Sequence, residues 1–466
     1  MLADRLGGQH GSEDGDAVAI FEEAVLGVLA HRPGVAQAID RVIARDPDFT
    51  AAHALQGLAA VVLARRELLA PAAAALEGAR AAMAARGGTA SERCLVATLA
   101  EAVEGRLGRA VALLDARLAA APHDLLAIKL AHAFRFMLGD AAGMLAASRQ
   151  VLPIWSAARP GYGFVLGCHA FALEECGEFA AAEAAGRAGV EQQPDDAWGL
   201  HAVAHVHEMS GQTGRGIAWL EETRPVWSRC NNFSFHMAWH LALFHLERGR
   251  YGRVLELYDC EVRPQPTDDF RDVANAASLL WRLRQEGVPV GDRWNELEAI
   301  ARRRRHDTTL VFASLHYLLV LLSAGDRAAA RELVGSLRLA ASSAGGDQAR
   351  VAAQVGVDLA EAILALGEQR RGPALGRLAE AIPALGGSGA QRDVLVRTLA
   401  LLAAEVGDRP TCLRILKHRS LLKQEDRFSR LACGRLAAAQ ARGPRAGRPS
   451  LRPARGPIAL AVGSQA

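Results

Sequence analysis

GEFAAAEAAGRAGVEQQP, residues 177–194, is the stretch whose reading decides the fold. A glycine opens it, a run rich in small residues follows, and a proline closes it. Glycine just beyond a helix end accepts the left-handed backbone of a C-cap, so Gly177 is predicted to end one helix and admit the next. Pro194 stands just ahead of Asp195 and a further helical run, where a missing N–H costs nothing. The alanines and glycines between them are small enough for two helices to touch.

The same punctuation recurs in both directions. Glycine turns are predicted at Gly108, Gly139, Gly211, Gly249, Gly287, Gly325, Gly367 and Gly407, and proline breaks precede helical runs at Pro47 and Pro122. Helix, glycine turn, helix, proline break, at a period in the thirties, is the pattern of tetratricopeptide arrays. The expected fold is therefore all-α, an α-solenoid of helical hairpins over residues 15–435, most specific over 160–262. A flexible N-terminus is expected at 1–14 and a disordered basic tail at 436–466. The tail carries arginines at 442, 445, 448, 452 and 455 and no acid, too little apolar surface to offset its ordering entropy.

Composition excludes several classes of function. In 466 residues, 50% are hydrophobic, 23% charged and only 5% aromatic, which fits helices packed through small side chains. A net charge of +3 is too small to make nucleic acid or an anionic membrane the expected partner. No apolar run is long enough to span a bilayer, and the N-terminus lacks the pattern of a signal peptide. Seven cysteines form no C-x-x-C pair, so reduced thiols and a cytoplasmic location are expected. P-loop, G-x-S-x-G and H-E-x-x-H spellings are all missing. The arginine run at 302–305 reads as a solvated helix face, with an acidic partner as the second account.

Three stretches carry a more specific likeness: FALEECGEFAAAE (171–183), PDDAWGLHAVAHVHEMSGQTGRGIAWL (194–220) and FHMAWHLALFHLERGRYGRVLELYD (235–259). Through them the chain resembles the tetratricopeptide repeat protein 38 family. The resemblance implies a repeat array over nearly the whole chain and no particular reaction. Cys94 stands where the resemblance leads one to expect histidine, and Gly199 where bulkier residues are usual.

Seven of the fifteen histidines lie between Cys168 and Asp259. Residues at i, i+4 and i+7 share one helix face, so His201, His205 and Glu208 form a stripe, and His236, His240 and Glu247 form another one hairpin later. In arrays of this resemblance, the first helix of each hairpin lines the concave groove. Counting from the turns places Phe171, Glu174, His201, His205, Glu208, His236, Trp239, His240 and Glu247 there as the ligand-binding set. The two stripes are displaced by most of a turn, so the spacing alone does not bring the four histidines together. Three readings follow. One is a binding scaffold holding a protein, peptide or small molecule in the groove. Another is a metal-dependent enzyme in which His201, His205, His236 and His240 ligate Zn²⁺, Mn²⁺ or Fe²⁺. The last is a packed core in which the histidines and Trp198, Trp219, Trp227 and Trp239 find hydrogen-bond partners. Whether the chain is an enzyme, and its oligomeric state, stay open at this point.

Overall fold

A computed structural model describes residues 1–343, 345–366 and 375–441. They form an α-solenoid of tetratricopeptide-like hairpins, with one two-residue-stranded ribbon at the start. Gly139, Gly177, Gly211, Gly249, Gly287, Gly325 and Gly407 all take the left-handed backbone that the turn reading requires. One turn moves. Gly105 has the positive φ, 34 residues before Gly139, whereas Gly108 is the second residue of the helix Leu107–Ala120. Local pattern did not separate two glycines three apart. Gly367 lies outside the described residues. Pro47, Pro122 and Pro194 each stand three residues ahead of a helix, at Thr50, Leu125 and Ala197.

The deciding stretch packs as its composition demands. Tyr162–Glu175, Phe179–Gln192 and Ala197–Met209 lie side by side. A Cβ on Gly189 would sit 3.0 Å from the Gly163 carbonyl, and one on Gly186 would sit 2.7 Å from Val203. These helices approach closely because the side chain between them is hydrogen. Larger anchors fill the remaining core: Phe171, Trp227, Trp239 and Phe244 are buried. Each such side chain stabilises the fold by roughly 1.5–3 kcal/mol of transfer free energy.

Both ends depart from expectation. Residues 1–14 pair Leu2–Ala3 with Gln9–His10 and dock on the first repeats. His10 is buried between Phe21 and Phe49 with Nε2 2.8 Å from Asp4, and Thr89 donates to the Gln9 carbonyl at 2.7 Å. A short segment with few apolar residues is held because it supplies partners to its neighbours. At the other end the helix Arg427–Ala441 runs six residues past the expected boundary at 435. The rest of the expected tail, 442–466, lies outside the described residues.

The array curls until its turns meet. The Asn231 amide donates to the His31 carbonyl at 2.8 Å, Asp347 to Gly105 at 2.9 Å, and Gly387 to Phe136 at 3.1 Å. Arg304 is buried and donates to Glu67 and Asp268 at 2.5 and 2.8 Å, so this member of the arginine run is an internal tie and not a solvated face. Its neighbours are also engaged within the chain: Arg302 with Asp326, and Arg305 with Glu332. No described helix is long and apolar enough to cross a membrane.

Candidate metal centre

Curling has a direct consequence for the inner face. The C-terminal helix Gly389–Glu405 packs on Ala197–Met209 and Phe270–Gln285, and residues 423–427, between Arg409–Leu422 and Arg427–Ala441, reach the first helices of the central repeats. Glu175 accepts from the Gly389 amide at 2.7 Å and from Arg392 at 3.0 Å. Lys423 donates to Glu208 at 3.2 Å, Gln424 donates through its amide to the Ser210 carbonyl at 2.8 Å, and Glu247 accepts from the Arg427 amide. The candidate set is thus covered by the chain itself, not displayed on an open groove. Phe171, Glu174, His201, His205, Glu208, His236, Trp239 and His240 are buried, and Glu247 is half-buried. Sequence spacing could place these residues on one face but could not show what lies on top of it.

Within that interior the histidine stripes converge. His201 and His205 come from Ala197–Met209, and His236 and His240 from Phe233–Glu247. Each offers one ring nitrogen such that all four lie within 4.8 Å of one another. His236 Nε2 is the hub, 2.8 Å from His201 Nε2 and 3.2 Å from His240 Nε2. The axial displacement of the stripes is absorbed by the packing of the second helix against the first, and a four-residue step returns both pairs to one spot.

Exposures of 2%, 0%, 9% and 0% for His201, His205, His236 and His240 explain their electrostatics. Burial holds all four imidazoles below their ordinary range, His205 at about 4 and His236 at about 3. They are neutral at pH 7, and each neutral ring has one lone pair to give. The Nε2 atoms of His201, His236 and His240 meet one another in imidazole–imidazole hydrogen bonds, while His201 Nδ1, His240 Nδ1 and both nitrogens of His205 are buried with no hydrogen-bond partner. One ring has an outer hydrogen bond of the kind that orients a metal ligand, His236 Nδ1 at 3.2 Å from Asn275 Oδ1. His205 Nδ1 lies 3.4 Å from Glu174 Oε2 without a hydrogen bond between them.

Other expected residues frame this cluster. Phe171 stacks on His201 with ring centres 5.6 Å apart, and Trp239 stacks on His236 at 5.3 Å. Burial pushes the Glu174 carboxyl up to about 8, against the opposing pull of Arg392. The four tryptophans anchor the core as expected. Trp198 donates to His132 at 3.1 Å, Trp219 and Trp227 to the carbonyls of Leu200 and Leu220, and Trp239 to Ser278. Asn275 and Glu175 belong to the cluster but were not singled out from the sequence, since neither stands in a spacing that marks a ligand. His31 was likewise missed, because 170 residues separate it from His201.

No protein-family model matches the chain. Among solved structures it is similar to a human IFIT1 dimer with PPP-AAAA, at 12% identity over 88% of this chain and 95% of that one, with a TM-score of 0.41. It is also similar to yeast Tom70, at 12% identity over 92% and 88% of the two chains with a TM-score of 0.34. The TPR domain of P58(IPK) matches at 13% identity over 77% of this chain and all of that one, with a TM-score of 0.18. Likenesses this distant carry no argument about ligand or activity.

Proposed function

We propose that this chain is a tetratricopeptide-like scaffold built around a buried divalent-metal centre, with His201, His205, His236 and His240 as the ligands. The observation that carries this reading is the meeting of four neutral imidazoles, from two neighbouring hairpins, inside the solenoid. Zinc bonded to nitrogen at about 2.0–2.1 Å in a tetrahedron sets its ligand atoms roughly 3.3–3.4 Å apart. The separations of His236 Nε2 from His201 Nε2 and His240 Nε2, 2.8 and 3.2 Å, are near that value, and all four ligand atoms lie within 4.8 Å of one another. An all-imidazole donor set suits Zn²⁺ and Fe²⁺ better than Mn²⁺, which prefers oxygen.

The likeness to the tetratricopeptide repeat protein 38 family belongs to this proposal, since residues 194–220 and 235–259 supply all four ligands. A cytoplasmic location, supported by seven free cysteines, belongs to it as well. A peptide or small molecule meets this interior from its edge in our reading, because the inner face is covered. Elemental analysis of the purified, tag-free protein tests the assignment, alongside a His201→Ala/His205→Ala double variant. Close to one ion per chain in the wild type, and none in a variant that keeps its helical signal and cooperative melt, is the expected result. Equal metal in both proteins, or none in either, overturns the reading.

A further inference from the structure

Lys129, on the helix Leu125–Leu138, is a buried cation at 8% exposure. Among the described residues no carboxylate lies within ion-pair distance of it. Its ammonium instead sits 4.5 Å from the centre of the Trp198 ring. Buried charges are ordinarily paired, so a lysine in this position is short of an anion. Asp196, a buried acid whose field Lys129 shares, makes no hydrogen bond or ion pair with it.

The same indole is where three other groups meet. His31 stacks on it with ring centres 5.8 Å apart, Phe233 lies at 5.9 Å and His201 at 4.9 Å. His31 is held with φ at 53°, a left-handed backbone unusual for a residue with a side chain, and its ring lies 4.1 Å from Phe233. His31, Trp198 and Phe233 are half-buried, whereas His201 and His236 behind them are buried. His31 Nε2 and His201 Nδ1 have no hydrogen-bond partner. The groups around this indole therefore combine flat apolar faces, an ammonium and unpartnered ring nitrogens, with no carboxylate in ion-pair reach of that ammonium among the described residues. That combination selects a ligand that is flat on one side and anionic at one end.

We propose that Lys129, His31, Trp198 and Phe233 form the binding site for a small organic carboxylate carrying a flat, aromatic-sized body. Its carboxylate pairs with the Lys129 ammonium, and its body lies against Trp198 and Phe233, facing His201 and His236. The position of the ligand relative to the ion rests on the metal-centre reading; the carboxylate contact with Lys129 does not.

Calorimetric titration of the metal-free, full-length protein at pH 7 separates the two. Benzoate is the probe, benzamide its neutral isostere, and inorganic phosphate a compact anion without an apolar body. The expected result is saturable benzoate binding, with benzamide and phosphate each at least tenfold weaker. Lys129→Met is expected to weaken benzoate at least tenfold while leaving metal content unchanged, and Lys129→Arg to keep part of the affinity. Equal binding of benzoate and benzamide, no saturable benzoate binding, or unchanged affinity in Lys129→Met overturns the site. Should Lys129→Met fail to fold, the benzoate and benzamide comparison on the wild type decides alone. Metal content is read separately, so failure of the carboxylate site leaves the metal centre standing, and the reverse also holds.

Discussion

Gly199 shows how one residue can be dictated by its neighbours. A Cβ there would come within 2.4 Å of Asp196 Oδ2, which itself is pressed against Gly167. Asp196 stands buried at the start of Ala197–Met209, the helix that carries His201 and His205. Glycine at 199 is thus explained by a buried carboxylate at the helix start. Gly199→Ala is expected to destabilise the protein by about 1–3 kcal/mol, the usual cost of overpacking, with metal content falling in parallel. Chemical denaturation beside elemental analysis checks it, and a neutral Gly199→Ala would refute the packing argument. The i, i+4 histidine pairs were legible at this scale, because helix geometry alone fixes a stripe. Lys129, His31 and Asn275 were not, since nothing local marks an ordinary residue that long-range packing brings to a site.

Between helices, the cover over the four histidines is held by charge. Arg419 makes two bonds to Asp393, at 2.8 and 3.0 Å, and one to Asp426 at 2.6 Å, all buried. Its guanidinium holds Asp393 far below the usual carboxylate range despite burial. This arginine, on Arg409–Leu422, ties Gly389–Glu405 to the start of Arg427–Ala441, on either side of the segment that reaches Glu208. Removing one partner of a buried pair leaves an uncompensated charge, so Arg419→Met is expected to cost about 3–5 kcal/mol. Amide hydrogen exchange should then quicken in residues 389–441 before it does so in 162–209; uniform protection would contradict the role given to Arg419. At this scale the glycine turns carried most of the legible information. Their failure at Gly105 against Gly108 reflects two glycines close enough to compete for one turn.

Curvature belongs to the whole molecule, and it was the least legible feature. A repeat period says that hairpins stack, not how far each turns relative to the last, so the meeting of residues 31 and 231, or 67 and 304, has no signature in sequence. Burial of so many ionisable groups makes stability depend on pH in a definite way. His132 is lowered to about 3, and His207 and His316 to about 4, by burial. Between those values and the ordinary 6.5 the unfolded chain takes up protons that the folded one refuses, so stability rises with pH through this range and is complete above it. Glu174 and Asp196 are raised by burial to about 8 and 7, so their contribution is complete at low pH and is lost as pH rises through those values. Lowered histidines outnumber raised carboxyls, which sets the expected optimum for the metal-free protein near the ordinary histidine value of 6.5. Scanning calorimetry from pH 4.5 to 8.5 should show a maximum there with the steeper fall on the acid side. A melting temperature that climbs steadily through pH 8 would contradict it.

At the centre of the molecule, in the proposed reading, four imidazoles share an ion. X-ray absorption at the zinc edge, on protein loaded with one equivalent of zinc, tests it most directly. The account predicts only nitrogen neighbours at about 2.0–2.1 Å with the outer-shell scattering of three or four imidazole rings. A spectrum of oxygen or sulfur neighbours without that imidazole pattern would contradict it.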